Sequence, residues 1–190
     1  MQRWRVVALV GAVVLAMMAA LAGCSGPSPL ASPGVPVVVI EGATSTTRPL
    51  DVDAVAAGAA SADVLAEALR DAGFLGGTER TDTGAGRPFS RVVAQALAFE
   101  TPDGALAFVT WIRDNGGSEL IAGGAVTLPG VPDEVVSFRH EPDACCPREA
   151  PVYLAAWSTG EVVVVVEMLG REATDGAAAR LVTRSLEGGW

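Results

Sequence analysis

The chain has 190 residues, with 13 basic side chains, all arginine, against 22 acids and one histidine, His140, for a formal net charge of −9. Without lysine there is neither a Walker-type phosphate loop nor a Schiff base, and one histidine with no G-x-S-x-G turn excludes a multi-histidine metal site within one chain and a serine elbow. So acidic a surface repels nucleic acid and anionic headgroups, and neither a nucleic-acid partner nor a cofactor is expected.

Arg3 and Arg5 precede an uncharged, mostly apolar run over 6–22 that ends in small residues. That order is the pattern of a secretory signal, which is removed; if retained, the run is near the lower limit for spanning a bilayer. Leu21-Ala22-Gly23-Cys24 resembles the lipobox of bacterial lipoproteins position by position. The resemblance implies a signal over 1–23, cleavage before Cys24 and a diacylglyceryl thioether on its sulfur. Each buried methylene contributes about 0.8 kcal/mol, and two acyl chains hold a protein stably where one does not. With Arg3 and Arg5 gone, 11 arginines face 22 acids, a charge of −11. The lipid, not the protein surface, is then the membrane contact. Arginine without lysine, together with abundant Ala, Gly and Val, fits a high-GC genome such as an actinobacterial one.

Residues 24–50 are expected to be the lipid anchor and a solvated tether rich in Pro, Ser and Thr. Val37-Val38-Val39-Ile40 interrupts it as a β-prone run that either docks on the domain's sheet, stays disordered or awaits a partner strand. Thr44–Thr47 are candidate sugar acceptors. The folded domain is expected over 51–190, beginning between Asp51 and Ser61. Ser61 caps a predicted helix with Leu65, Ala68, Leu69 and Ala72 inward and Gly73 at its stop. Residues 78–88 read as a loop. Phe89 to Glu100 reads as a strand covered on both faces, with Val93, Leu97 and Phe99 on one side and Val92, Ala94, Ala96 and Ala98 on the other.

Thr101-Pro102-Asp103 is a helix start, and the helix is expected to turn Leu106, Phe108, Val109 and Ile112 inward and to stop at Gly116-Gly117. A short strand over 125–128 and a strand over 134–140 follow, the latter placing Val136, Phe138 and His140 on one side. Residues 152–157 and 161–169 form a hairpin around Ser158-Thr159-Gly160, and the run Val162-Val163-Val164-Val165-Val166 reads as a central strand. Thr174 caps a last helix with Ala178, Leu181, Val182 and Ser185 inward.

This order predicts an α+β domain: an antiparallel sheet of four to five strands with three helices on one face or end. Pro129-Gly130-Val131-Pro132-Asp133 leading into 135–138, and the Gly160 hairpin with its valine-rich return strand, resemble uncharacterised actinobacterial envelope lipoproteins. The element order over about 50–190 loosely resembles the extracellular sensor domains of mycobacterial receptor kinases and the Mog1/PsbP-like sandwich. The resemblance implies a fold and an envelope address, and carries over no functional residue.

Among candidate sites, Cys145 and Cys146 are adjacent and are the remaining thiols once Cys24 is acylated. The options are a disulfide between neighbours, a bond to another molecule, or two free thiols, and an oxidising envelope disfavours the last. Neighbouring α-carbons lie about 3.8 Å apart, below the usual disulfide range, so such a ring is strained. A redox switch or a soft-metal site with His140 is the sharper alternative. His140 itself is expected to be a strand-end residue with a satisfied hydrogen bond. Glu100, Asp103, Glu161 and Glu167 are candidates for a catalytic carboxylate pair, although no spacing brings two of them together. Trp111, Trp157 and Tyr153 are expected in the core; if two line a groove between sheet and helices, an apolar or glycan ligand follows.

The expected protein is thus a non-enzymatic, lipid-anchored envelope protein on the outer face of the cell membrane, whose domain binds or senses an extracytoplasmic ligand or protein. The alternatives are a secreted enzyme using a carboxylate pair or the vicinal thiols, and an accessory subunit docked on a membrane protein.

Overall fold

The computed structural model describes Gly34 and residues 42–84, 88–142 and 150–188. All belong to the compact unit Ser32–Trp190. Cys24, Val37-Val38-Val39-Ile40, Cys145 and Cys146 lie outside the described residues. Among those described, no helix is long and apolar enough to cross a membrane.

Seven strands and four helices are described: β1 (Thr44–Leu50), α1 (Val52–Ala56), α2 (Ala62–Asp71), β2 (Phe74–Thr83), β3 (Arg91–Phe99), α3 (Pro102–Glu119), β4 (Gly124–Ala125), β5 (Val136–His140), β6 (Val152–Thr159), β7 (Val162–Leu169) and α4 (Asp175–Glu187). They build one antiparallel sheet in the order β1-β2-β3-β7-β6-β5-β4. The α+β class holds, with more strands than the four to five expected.

The valine run of β7 is central, between β3 and β6. Val163 and Val165 pack toward one face and Val164 and Val166 toward the other. A continuous apolar run needs cover on both sides, and both sides have it. On the first face Leu97, Phe99, Val163, Leu154 and Phe138 pack with Leu65 and Leu69 of α2 and with Phe108, Val109 and Ile112 of α3. On the second, Val92, Val164, Met168, Tyr153 and Trp157 pack with Ala178, Leu181 and Val182 of α4. The helices therefore occupy both faces of the sheet, not one face or end.

The caps follow the sequence. Thr101 Oγ1 accepts from Gly104 N at 3.1 Å and Thr174 Oγ1 from Ala177 N at 3.2 Å. Gly73 ends α2 at φ +76° and Gly160 turns the β6–β7 hairpin at φ +58°, both in the left-handed region that favours glycine.

Four expectations are corrected. First, Thr44–Leu50, placed in the tether, is edge strand β1, its register set by polar pairs on both faces: Arg48 opposite Glu79 and Ser45 opposite Asp82. Second, Phe74–Thr83 is a ten-residue strand where a loop was expected over 78–88. It is mostly polar on both faces because it adjoins an exposed edge, and pairing to β1 and β3 holds it extended. Third, α3 runs past Gly116 and Gly117 to Glu119. These glycines are close-approach positions: a Cβ at Gly116 would stand 2.9 Å from Phe138 Cε2, and one at Gly117 2.6 Å from Gly123 O. Fourth, Leu106 is 57% exposed, not inward, and Ser61 makes no side-chain cap.

Candidate functional site

A cleft opens between the first face of the sheet and the helices above it. It is small, with a cavity volume of ≈ 90 Å³. Its floor is Val93, Gln95 and Leu97 of β3, Val165 and Glu167 of β7 and Leu154 of β6. Its roof is Val55, Gly58 and Leu65 from α1, the following turn and α2, and Phe108, Ile112 and Leu120 from α3 and its end. The alternation of β3 puts Val93, Gln95, Leu97 and Phe99 on this face, so one strand runs from a buried apolar end to a polar mouth.

The roof is fixed at two points. Asp51 Oδ1 accepts from Ala54 N at 2.8 Å and starts α1. Glu119, at the end of α3, accepts from Ala60 N through its carbonyl at 2.8 Å and from Ser61 N through Oε2 at 3.0 Å. Ser61, whose side chain makes no cap, is thus held through its own backbone amide by a carboxylate from another helix.

At the mouth, the Glu79 carboxylate accepts from Arg48 Nε at 2.7 Å, Arg48 Nη2 at 3.1 Å and Gln95 Nε2 at 3.0 Å. The Arg48 hydrogen bonds hold the Glu79 carboxyl below the usual carboxylate range against the opposing effect of burial. Arg91 Nη2 stands 3.6 Å from Glu167 Oε1.

Of the four carboxylates weighed from the sequence, Glu167 lines the cleft. Glu100, Asp103 and Glu161 are exposed near the far ends of β3 and β7 and do not join it. The second carboxylate by the mouth is Glu79, and the register places it opposite Gln95, with Glu167 opposite Val93. Their strands stand two inter-strand steps apart, about 9.6 Å between backbones, and the two positions are offset by two residues along β3. The rings expected in the core are there and do not line a groove together. Trp157 and Tyr153 are buried on the opposite face, and Trp111 stacks behind Phe108 at 5.8 Å; Phe108 is the aromatic ring in the cleft lining. His140 is a strand-end residue whose Nδ1 lies 3.0 Å from Ala122 O.

Gln95 and Glu79 were missed. Gln95 carries a local signal, an amide within the apolar strand Arg91–Phe99 on its inward-facing register. Glu79 has none, since its partners lie 31 and 16 residues away in the chain.

On the second face, Asp175 Oδ1 accepts from the buried Tyr153 hydroxyl at 2.9 Å and from Arg139 Nη1 at 2.8 Å, and Arg139 Nε also meets Glu141 at 2.8 Å. Burial and then the Asp175 bond push the Tyr153 hydroxyl up, while Arg139 and then Tyr153 hold the Asp175 carboxyl down. This cluster fastens the first turn of α4 to β5 and β6, where a carboxylate also suits the helix dipole.

The fold is similar to that in the crystal structure of the extracellular domain of PknH from Mycobacterium tuberculosis, with a TM-score of 0.46 and 18% sequence identity over 76% of this chain and 82% of that one. At that distance the likeness carries nothing about ligand or activity. No family model matches the chain, and no curated protein does.

Proposed function

We propose that the chain is a lipid-anchored protein of the cell envelope whose α+β domain binds a small apolar-bodied ligand outside the cytoplasmic membrane, without transforming it. The observation that carries this reading is the cleft: a largely hydrophobic chamber under α1, α2 and α3 with a few polar groups at its mouth, the usual constitution of a ligand site. The anchor rests on Leu21-Ala22-Gly23-Cys24, whose order and spacing suit cleavage before Cys24 and acylation of its sulfur.

Intact mass spectrometry of the native protein tests the anchor. A chain beginning at Cys24 with a diacylglyceryl mass is expected, and a chain beginning at Met1, or at Cys24 without fatty mass, overturns it. Native mass spectrometry of the same preparation tests the cleft. A small co-purifying adduct that is lost when Val93→Phe narrows the floor is expected; an adduct that persists in that folded variant places the ligand elsewhere.

A further inference from the structure

The two edges of the sheet are built differently. β4, at one end, is two residues long, whereas β1, at the other, runs for seven and pairs, among the described residues, with β2 alone. A bare edge strand offers unpaired N–H and C=O groups to any other extended chain, and proteins blunt it by shortness, by proline or by charge, lysine above all. β4 is blunted by its shortness. On β1, Pro49 withholds one donor next to Leu50. The chain has no lysine, and the charge that β1 carries, Arg48, is drawn back over β2 by both oxygens of Glu79.

What β1 has instead is hydroxyls. Thr44, Ser45, Thr46 and Thr47 follow one another and all four are exposed. Ser45 is committed: its Oγ donates to the buried Asp82 carboxylate and accepts from Arg80 Nη2 at 3.1 Å, and a group attached there would break both bonds. The Thr44, Thr46 and Thr47 hydroxyls make no hydrogen bond among the described residues. Alternation turns Thr46 to the face of Arg48 and Thr47 to that of Ser45, so these two, in mid-strand, flank the open edge on both sides.

We propose that β1 is a modification site, with Thr46 and Thr47 O-glycosylated and their sugars guarding the edge against strand pairing. The co-substrate is an activated glycosyl phosphate. The bond from threonine Oγ1 to the anomeric carbon forms as the bond from that carbon to the phosphate oxygen breaks; the electron pair leaves with the phosphate, and the hydroxyl proton passes to the transferase's base. A sugar is bulky and well hydrated, which supplies at this edge what lysine supplies elsewhere. The site is on β1, outside the cleft, and stands whether or not the cleft takes a ligand.

Peptide mapping by mass spectrometry of the protein purified from its native host tests the site. Whole sugar residues on Thr46 and Thr47 are expected, absent from the Thr46→Gln/Thr47→Gln variant. Sedimentation in one constant detergent then tests the role, comparing the native chain with that variant and with wild-type chain made by cell-free synthesis, which carries no sugar and needs no substitution. Both bare chains should self-associate roughly tenfold more tightly than the native one, the worth of one or two backbone hydrogen bonds across the edge. A native chain free of sugar, or one with sugars on other residues instead, overturns the site, and a sugar-free native dimer would assign the edge to a second copy. Sugars on Thr46 and Thr47 whose loss leaves self-association unchanged overturn the guarding role.

Discussion

Arg48→Ala isolates what one ion pair contributes to the edge of the sheet. Glu79 is 9% exposed, and its carboxylate is gripped through both oxygens by Arg48, with Gln95 as a third donor. Removing the guanidinium leaves a buried carboxylate with the Gln95 amide as its remaining hydrogen-bond donor among the described residues. Hydrogen bonds to a charged group contribute about 1.5–3 kcal/mol. The Arg48 side chain is 58% exposed, so solvent screens part of that. About 1 kcal/mol at pH 7 is expected after that discount, a drop of roughly 2–4 °C in Tm for a domain of this size. The pH dependence has a definite sign. Arg48 lowers the folded-state pKa of Glu79, so the pair's contribution is present above the ordinary glutamate range and is lost as pH falls through the depressed folded value. Urea unfolding of wild type and variant at pH 7, 5 and 3 should therefore show the gap closing on acidification. Hydrogen exchange should show β1 amides losing more protection than those of β3 and β7, since among the described residues β1 pairs with β2 alone. A deficit independent of pH, or one spread evenly over the sheet, would refute the argument and assign the effect to the packing of the arginine stem.

Other expected outcomes concern single side chains and the thiols. Tyr153→Phe leaves Asp175 its bond to Arg139, so a loss of about 0.5–1.5 kcal/mol is expected in chemical denaturation. Because the Tyr153 pKa is raised, its contribution is present below the ordinary tyrosine range and lost as pH rises through the folded value, and the phenylalanine variant should show a flatter alkaline limb. Gly104→Ala drives a Cβ to 2.2 Å from Ala72 O and should cost roughly 1–3 kcal/mol in thermal unfolding. Gly176→Ala, in the first turn of α4, meets nothing closer than Arg180 Nη1 at 3.6 Å and should be neutral or stabilising. Thiol titration of the unfolded mature protein should find no free thiol without reductant and two with it. Two free thiols before reduction would rule out the disulfide between Cys145 and Cys146 weighed from the sequence.

What could be read from the chain depended on how local the cause was. Thr101, Thr174, Gly73 and Gly160 act on backbone groups within a few residues, and each does what its neighbours in sequence imply. The valine run declares a strand covered on both faces, and the faces of β3 follow from simple alternation. β1 and β2 make no such declaration. Thr-Ser-Thr-Thr-Arg-Pro-Leu has no apolar period, and it becomes a strand because Ser45 and Arg48 meet Asp82 and Glu79 across the register. Gly116-Gly117 looks like a stop when read locally, and becomes a packing surface once Phe138 arrives from β5. The cleft's hydrophobic walls were foreseeable as core. Its mouth depends on Glu79 and Glu167, brought to either side of β3 by pairings that span the domain.

The existence of the cleft follows from one connection. After β3 the chain must reach β4 at the far edge, past β7, β6 and β5, a lateral distance of about 19 Å over four inter-strand steps. The 18 residues of α3, about 27 Å long, carry the chain across the first face and pack on β5, β6, β7 and β3. A helix committed to that half of the sheet cannot also roof β1 and β2. That task falls to the five residues of α1 and the ten of α2, which close the apolar end near Leu50 and Leu65, while Glu79, Gln95 and Glu167 lie farther along β2, β3 and β7. Polar residues are tolerated there because Glu79 is held by Arg48 and Gln95 and Glu167 is partly exposed beside Arg91, and the floor continues inward from them as hydrocarbon. A mouth rich in acceptors above an apolar chamber is therefore the direct product of crossing the sheet with a single helix.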